Sequence, residues 1–388
     1  MKYKLSDICE YAKGKIKVSV LDENTYISTE NMLPNKSGIT QATSLPAQEQ
    51  TQAFMRNDVL VSNIRPYFKK IWYATFDGGC SNDVLVFRAK DGVSSQFLHY
   101  VLADDSFFDY SMATSKGTKM PRGDKKAIME YEVPKLSYEK QGKIARILEV
   151  TDKKIELNTA INKNLIQQTQ ALYSAWFEKF LPFNGNMPSD WHIGTIRDIA
   201  TIKTNSFNPQ KNPKVMLEHY SIPAYDEQHF PVFEPSDNVK SNKYVLTDNS
   251  VLASKLNPDT KRIWRPICLT DHAICSTEFI VFETNNSAHK DFLFSIIDSQ
   301  SFSDWMYAHT TGSTNSRQRT TPSTTLKFKV PIAPDDVINA FCTSVTPMYD
   351  LVSQNLQENQ RLTSLRDSLL PKLISGEIDV SDIDLPSR

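Results

Sequence analysis

The side chains with chemistry to offer are cations, and they fall on two kinds of loop. The stretch RPYFKKIW, Arg65 to Trp72, sets Arg65, Lys69 and Lys70 close together. NPDTKRIW, Asn257 to Trp264, repeats the phrase 192 positions later with Lys261 and Arg262, and Arg265 follows directly. A second pair of loops adds to these. ATSKGTKMPRGDKK, Ala113–Lys126, holds Lys116, Lys119 and Arg122, and HTTGSTNSRQRTT, His309–Thr321, holds Arg317 and Arg319. Arg and Lys bridge guanine edges or hold phosphates, while hydroxyls and amides complete such contacts. Any one of these loops reads equally well as a solvated charged face. Their recurrence in both halves of the chain favours DNA contact for the set. The Ile71-Trp72 and Ile263-Trp264 pairs inside the same phrases read as core.

Catalytic constellations are missing. No G-x-x-x-x-G-K-[ST] loop occurs, no G-x-G-x-x-G follows a strand pattern, and Asn257-Pro258-Asp259 lacks the second proline of an amino-methyltransferase motif. Pro334-Asp335 opens a nuclease-like acidic motif that no Glu-x-Lys completes. Cys268, His272 and Cys275 supply three donors without a CxxC pair, where structural zinc takes four. The expectation is a binder with no catalytic residue and no metal.

The elements that position the loops come in two copies. LSDI (Leu5–Ile8) faces IRDI (Ile196–Ile199), and NDVLVS (Asn57–Ser62) faces NSVLAS (Asn249–Ser254). CSNDVLVF (Cys80–Phe87) faces CSTEFIVF (Cys275–Phe282), each expected to be one buried strand, and YEVP (Tyr131–Pro134) faces FKVP (Phe328–Pro331). GTKMPR (Gly117–Arg122) faces GSTNSR (Gly312–Arg317). The offset drifts only from 191 to 197, so the order marks an internal duplication.

A helical pattern follows each copy. From Ile144 through Leu148, Thr151, Ile155, Asn158, Asn162, Leu165, Thr169 and Leu172 to Trp176, the spacing alternates four and three, the seam of a coiled coil. The same pattern 197 positions later places Asn355 and Asn359 opposite in kind to Asn158 and Asn162. Buried seam asparagines fix register, because a slipped partner leaves their amides unpaired. Pro182 should end the first helix, and Pro347 and Pro371 should confine the second to about Pro347–Leu370. The two seams are expected to pair with each other, antiparallel, with the globular domains at opposite ends. About 24 shared residues would span about 36 Å, close to the roughly 34 Å of one turn of B-DNA.

Composition sets few further bounds. No run approaches the length of a spanning helix, the N-terminus MKYKLSDICE does not read as a signal peptide, and five scattered cysteines fit reduced thiols of a cytoplasmic protein. The net charge of -1 requires any nucleic-acid surface to be local. Residues 1–182 carry a small basic excess and the tail after Pro334 is acidic.

LRDSLLPKLISGEIDV (Leu365–Val380), EKQGKIARILEVTDKKIELN (Glu139–Asn158) and LYSAWF (Leu172–Phe177) resemble the helical regions of the specificity subunits of Type I restriction-modification systems. Val133-Pro134 and Val330-Pro331 match the strand ends that precede those helices, whereas PDDVINAFCTSVTPM (Pro334–Met348) departs from the pattern of the first helix. The resemblance implies an α+β chain: two duplicated α/β target recognition domains at 1–137 and 183–334, and two long helices at 138–182 and 335–388 pairing as an antiparallel coiled coil. It implies a subunit that reads double-stranded DNA in two half-sites and binds two modification (methyltransferase) subunits and the restriction (translocase/nuclease) subunits. S-adenosylmethionine would belong to the modification subunit, and ATP with Mg to the restriction subunit. Tyr173 and Phe177 are the expected exposed aromatics for partner binding. The alternative from the residues alone is a coiled-coil adaptor displaying two related protein-binding domains.

Overall fold

The computed structural model describes residues 2–311 and 318–383. The chain forms two units, one from residues 1–155 with 361–388 and one from residues 156–360. Both cuts fall inside long helices.

In the first unit the strands Cys9–Tyr11, Val84–Ala89, Val59–Ser62 and Ile71–Tyr73 form a sheet in that order. Lys15–Lys17, Gln50–Phe54, Gly78–Cys80 and Tyr26–Ile27 form a second. The second unit repeats both orders. Ala200–Lys203, Phe279–Thr284, Ser250–Ser254 and Ile263–Trp264 make one sheet. Ser206–Phe207, Lys243–Val245, Ala273–Ser276, Met216–Tyr220 and an added Val232–Pro235 make the other. A parallel pairing is shared too: Tyr26 with Gly79 in one unit, Tyr220 with Cys275 in the other. The duplication is therefore one of topology as well as of words.

The matched phrases have matched jobs. In LSDI, Asp7 accepts a hydrogen bond from the backbone N–H of Lys4 (2.9 Å), and in IRDI, Asp198 accepts one from Thr195 (2.7 Å). Each carboxylate satisfies an orphan donor at the start of a single helical turn. Leu5 N–H donates to Tyr131 O and Ile196 N–H to Phe328 O, which closes each domain on its YEVP or FKVP strand. CSNDVLVF and CSTEFIVF differ from expectation. Each is two strands, broken at 81–83 and 277–278, and its parts lie in different sheets. A continuous apolar run marks burial, but here the buried chain steps from one sheet to the next.

Two helices cover each larger core, and the capping residues explain where they start. Ser94 accepts from Phe97 N–H and Asp104 from Ser106 N–H in the first unit; Ser299 accepts from Phe302 N–H in the second. The long helices are Tyr138–Tyr173, continued by a π turn over Ser174–Glu178, and Asp335–Ser375. The second helix runs through both prolines rather than from 347 to 370. Each proline forgoes one backbone hydrogen bond, yet Phe341, Val345 and Tyr349 bury a face that spans Pro347 in the core of the second unit, which outweighs the loss. Ile144, Ala145 and Leu148 join Leu370, Leu373 and Val380 in the core of the first unit.

In the second unit the helices pair antiparallel through amides. Asn355 Nδ2 donates to Asn162 Oδ1 (2.8 Å) and Asn158 Nδ2 to Asn359 Oδ1 (2.9 Å). Asn158 also donates to Glu358 (2.7 Å), and Asn162 Nδ2 lies 3.4 Å from the carbonyl of Val352. Asn162→Ala should cost about 1–3 kcal/mol, because the Asn355 amide stays buried without its partner. The double change Asn162→Leu with Asn355→Leu should recover that loss in urea denaturation. Equal losses for single and double variants would show that the amide pair is not what the site requires.

Candidate nucleic-acid interface

The two cation-bearing loops, separate in sequence, are joined in each unit by the same backbone contacts. Ser62 N–H donates to Lys70 O (3.0 Å) and Ser254 N–H to Arg262 O (2.9 Å), closing the RPYFKKIW and NPDTKRIW turns. The hydroxyls of the same serines donate to Ile64 O and Leu256 O, which fixes the chain as it leaves the strand. Arg65 N–H then donates to Pro121 O (2.8 Å), and Asn257 N–H to Gln318 O (2.9 Å). Arg65 and Asn257 occupy equivalent places, and both have left-handed backbone, with φ of 50° and 48°. Gly123 lies against Asn63, where an added Cβ would come within 2.9 Å of the amide oxygen. Only a residue without a side chain lets the second loop settle there.

The expected cations are mostly answered by carboxylates. Lys69 contacts Asp105 (2.9 Å), Lys116 contacts Asp124 (2.5 Å), and Arg122 contacts Asp83 (3.1 Å). Lys116, with backbone N–H groups of the following turn, holds Asp124 well below the usual carboxylate range, at about 2. In the second unit Lys261 contacts Asp298 (2.6 Å), Arg262 grips Asp226 with two hydrogen bonds, and Arg319 does the same to Glu278. Arg65 and Lys119 are exposed and join no ion pair among the described residues. Arg317 lies outside the described residues, as does the GSTNSR phrase.

Two of these cations are turned toward the protein rather than left in solvent. Arg265 is half-buried, donates to both oxygens of Asp291 (2.6 and 3.2 Å) and reaches Asp350 on the second long helix (2.9 Å). Burial opposes its charge, but the two carboxylates raise its pKa further still. Lys70 is half-buried, donates to Thr29 O (2.6 Å), and burial lowers its pKa against the pull of Glu30. Adjacency along the chain groups both with the binding set, yet each is held inward by its partners.

The aromatic expectation is also corrected. Tyr173 and Phe177 are only 4% and 1% exposed and pack with Trp191, Phe292 and Phe341 in the core of the second unit. LYSAWF ends the first long helix, with Tyr173 its last residue and Phe177 in the π turn over Ser174–Glu178. Tyr67 and Phe68, inside RPYFKKIW itself, are exposed instead, with Met120 exposed on the adjoining loop. Their neighbour Lys36 was also missed. It comes from the PNKSG turn, whose Asn35 and Lys36 N–H groups donate to Phe68 O and Lys69 O (both 2.9 Å). A turn that reads as ordinary punctuation is here the third wall of the surface.

Cys268 and Cys275 are not arranged as metal donors. Burial pushes the Cys268 thiol up to about 12 and raises that of Cys275, so neither is a ready thiolate. Among the described residues no group of three or more His, Cys, Asp or Glu is placed to hold a metal, and no helix is long and apolar enough to cross a membrane.

Residues 1–167 match the family model described as the Type I restriction modification DNA specificity domain. The chain is 25% identical over 322 residues to the specificity subunit of the Type I restriction enzyme MjaIX of Methanocaldococcus jannaschii, covering 76% of this chain and 71% of that one. It is 23% identical over 470 residues to the HindI specificity subunit of Haemophilus influenzae, covering 96% and 100%. The S subunit of a Type I restriction-modification system from M. genitalium shares the fold, with a TM-score of 0.63 at 15% identity over 96% of both chains.

The role of Arg265 can be tested. Arg265→Met should destabilise the chain by about 3–5 kcal/mol, because it strands the buried Asp291 carboxylate. Adding Asp291→Leu should restore much of the urea midpoint. A stable Arg265→Met chain with weakened DNA binding would return this residue to the interface.

Proposed function

We propose, for a chain that is a specificity subunit of the Type I restriction-modification family and reads DNA sequence, that each unit reads one half of a two-part target. One observation carries this. The same two loops are tied together by equivalent backbone hydrogen bonds in both units, while their side chains differ. A duplicated frame with diverged loops suits two half-sites of different sequence. The coiled-coil adaptor of two protein-binding domains is not favoured, since the relatives are specificity subunits.

In this reading phosphates are held by the exposed and ion-paired cations, and base edges by Arg65, Lys119 and Arg122 in the first unit. The pairing of the long helices sets the gap between half-sites. The chain itself carries out no chemistry. Two modification subunits bind it and supply S-adenosylmethionine-dependent adenine methylation, restriction subunits supply ATP- and Mg-dependent cleavage, and the assembly works in the cytoplasm. Exposed ion pairs of the kind seen here contribute only about 0–1 kcal/mol each, so a phosphate can replace a carboxylate partner at little cost.

Lys119→Ala with Arg122→Ala should relax methylation at one half-site about tenfold or more, since a good base contact is worth about 1–3 kcal/mol. The other half-site should be read as before. Equal relaxation at both halves, measured by sequencing methylated plasmid DNA, would contradict one unit per half-site. Four residues inserted after Asn162 should change the tolerated gap without changing either half-sequence.

A further inference from the structure

The surface of the first unit contains an arrangement more specific than a basic patch. Lys36 and Lys69, from two different loops, meet one carboxylate: their Nζ atoms lie 2.8 and 2.9 Å from the two oxygens of Asp105. We propose that Lys36 and Lys69 form a clamp for a single DNA backbone phosphate, and that Asp105 occupies the clamp until the phosphate replaces it. The inference rests on the DNA-reading function given above.

Three further observations support it. First, the backbone is strained to build the pair. Asn35, Lys36, Arg65 and Lys69 all have positive φ, between 50° and 61°, and they account for four of the eleven non-glycine residues of that kind among the described residues. Such strain collects at ligand clamps because the surrounding structure must hold it in place. Here the hydrogen bonds from Asn35 N–H to Phe68 O and Lys36 N–H to Lys69 O do so. An incidental surface ion pair needs no such scaffold.

Second, the charges do not cancel. Two ammonium groups facing one carboxylate leave the site net positive. The carboxylate sits in the first turn of the helix Asp105–Ala113, where the helix dipole also favours an anion. Third, the anion's place is the open side. Asp105 is 59% exposed, whereas Lys36 and Lys69 are 19% and 30% exposed, so the lysines form the floor and the carboxylate the removable cover. The clamp adjoins exposed Tyr67 and Phe68 and the Arg65 turn, so a phosphate held there would lie beside the base-reading loops.

The resting carboxylate implies a role in specificity. By competing with phosphate, it weakens binding at every sequence alike, leaving base contacts to decide where the protein stays. The test uses the chain assembled with its modification subunits and a duplex of unrelated sequence, titrated between 50 and 200 mM salt. Asp105→Asn should raise affinity for this duplex roughly threefold to tenfold. Lys36→Gln with Lys69→Gln should lower it and make the slope of log affinity against log salt shallower by about one. Asp91→Asn, an exposed carboxylate in no ion pair among the described residues, makes the same charge change elsewhere and should leave both values near wild type. Asp105→Asn behaving like Asp91→Asn, or an unchanged slope in the lysine variant, would overturn the clamp while leaving DNA reading intact. A wild-type assembly without salt-dependent binding would overturn the DNA reading together with the clamp.

Discussion

Four asparagine side chains decide how the long helices can pair in the second unit. Asn158 meets Asn359 and Asn162 meets Asn355, and each amide is buried or half-buried where a seam would ordinarily hold leucine. Leucine in those places would stabilise several registers nearly equally. Amides stabilise one, because a slip of a helical turn or more leaves donors and acceptors without partners, at about 1–3 kcal/mol for each. The first unit uses charge for the same purpose. Arg366 reaches Asp152 (2.9 Å), and Asp152 also accepts from the hydroxyl of Tyr100 in the domain (2.8 Å). In both units the polar contact between helices costs stability and returns a defined alignment.

The interface follows a related economy. A chain with net charge -1 can still hold a polyanion if its cations sit where the backbone of the duplex passes. Most cations on the two loops are held by a nearby carboxylate, which orients them and lowers their attraction for any passing phosphate. The loops themselves are fixed by backbone hydrogen bonds from the serines that end the central strands, Ser62 and Ser254, so their side chains can vary without loss of the frame. That separation of frame from reading surface would allow one fold to serve two different half-sites.

Much of this was legible in the residues. LSDI, NDVLVS, YEVP and their partners revealed the duplication because each has a local job that demands its residue types, such as the Asp that caps the first turn. The seam asparagines were legible because a polar residue in an apolar period is informative. What failed was direction. Arg265 and Lys70 lie beside surface cations in sequence, but adjacency along the chain does not reveal that Asp291 or the carbonyl of Thr29 draws them inward. The period alone puts Tyr173 and Phe177 beside the seam and does not reveal that the core of the second unit packs against them. Pro347 reads as a boundary in the sequence, yet tertiary packing of Phe341, Val345 and Tyr349 carries the helix through it. Lys36 and Asp105 could not be seen at all, since their partnership is made only when distant loops meet.

The central claim is that this chain chooses a two-part DNA target for adenine methylation. The most direct test compares single-molecule methylomes of cells expressing the modification subunits with and without it. The account predicts that one methylated motif, two short sequences separated by a fixed gap, disappears when the chain is absent. A methylome that is identical in both cases, with the modification subunits active, would contradict it.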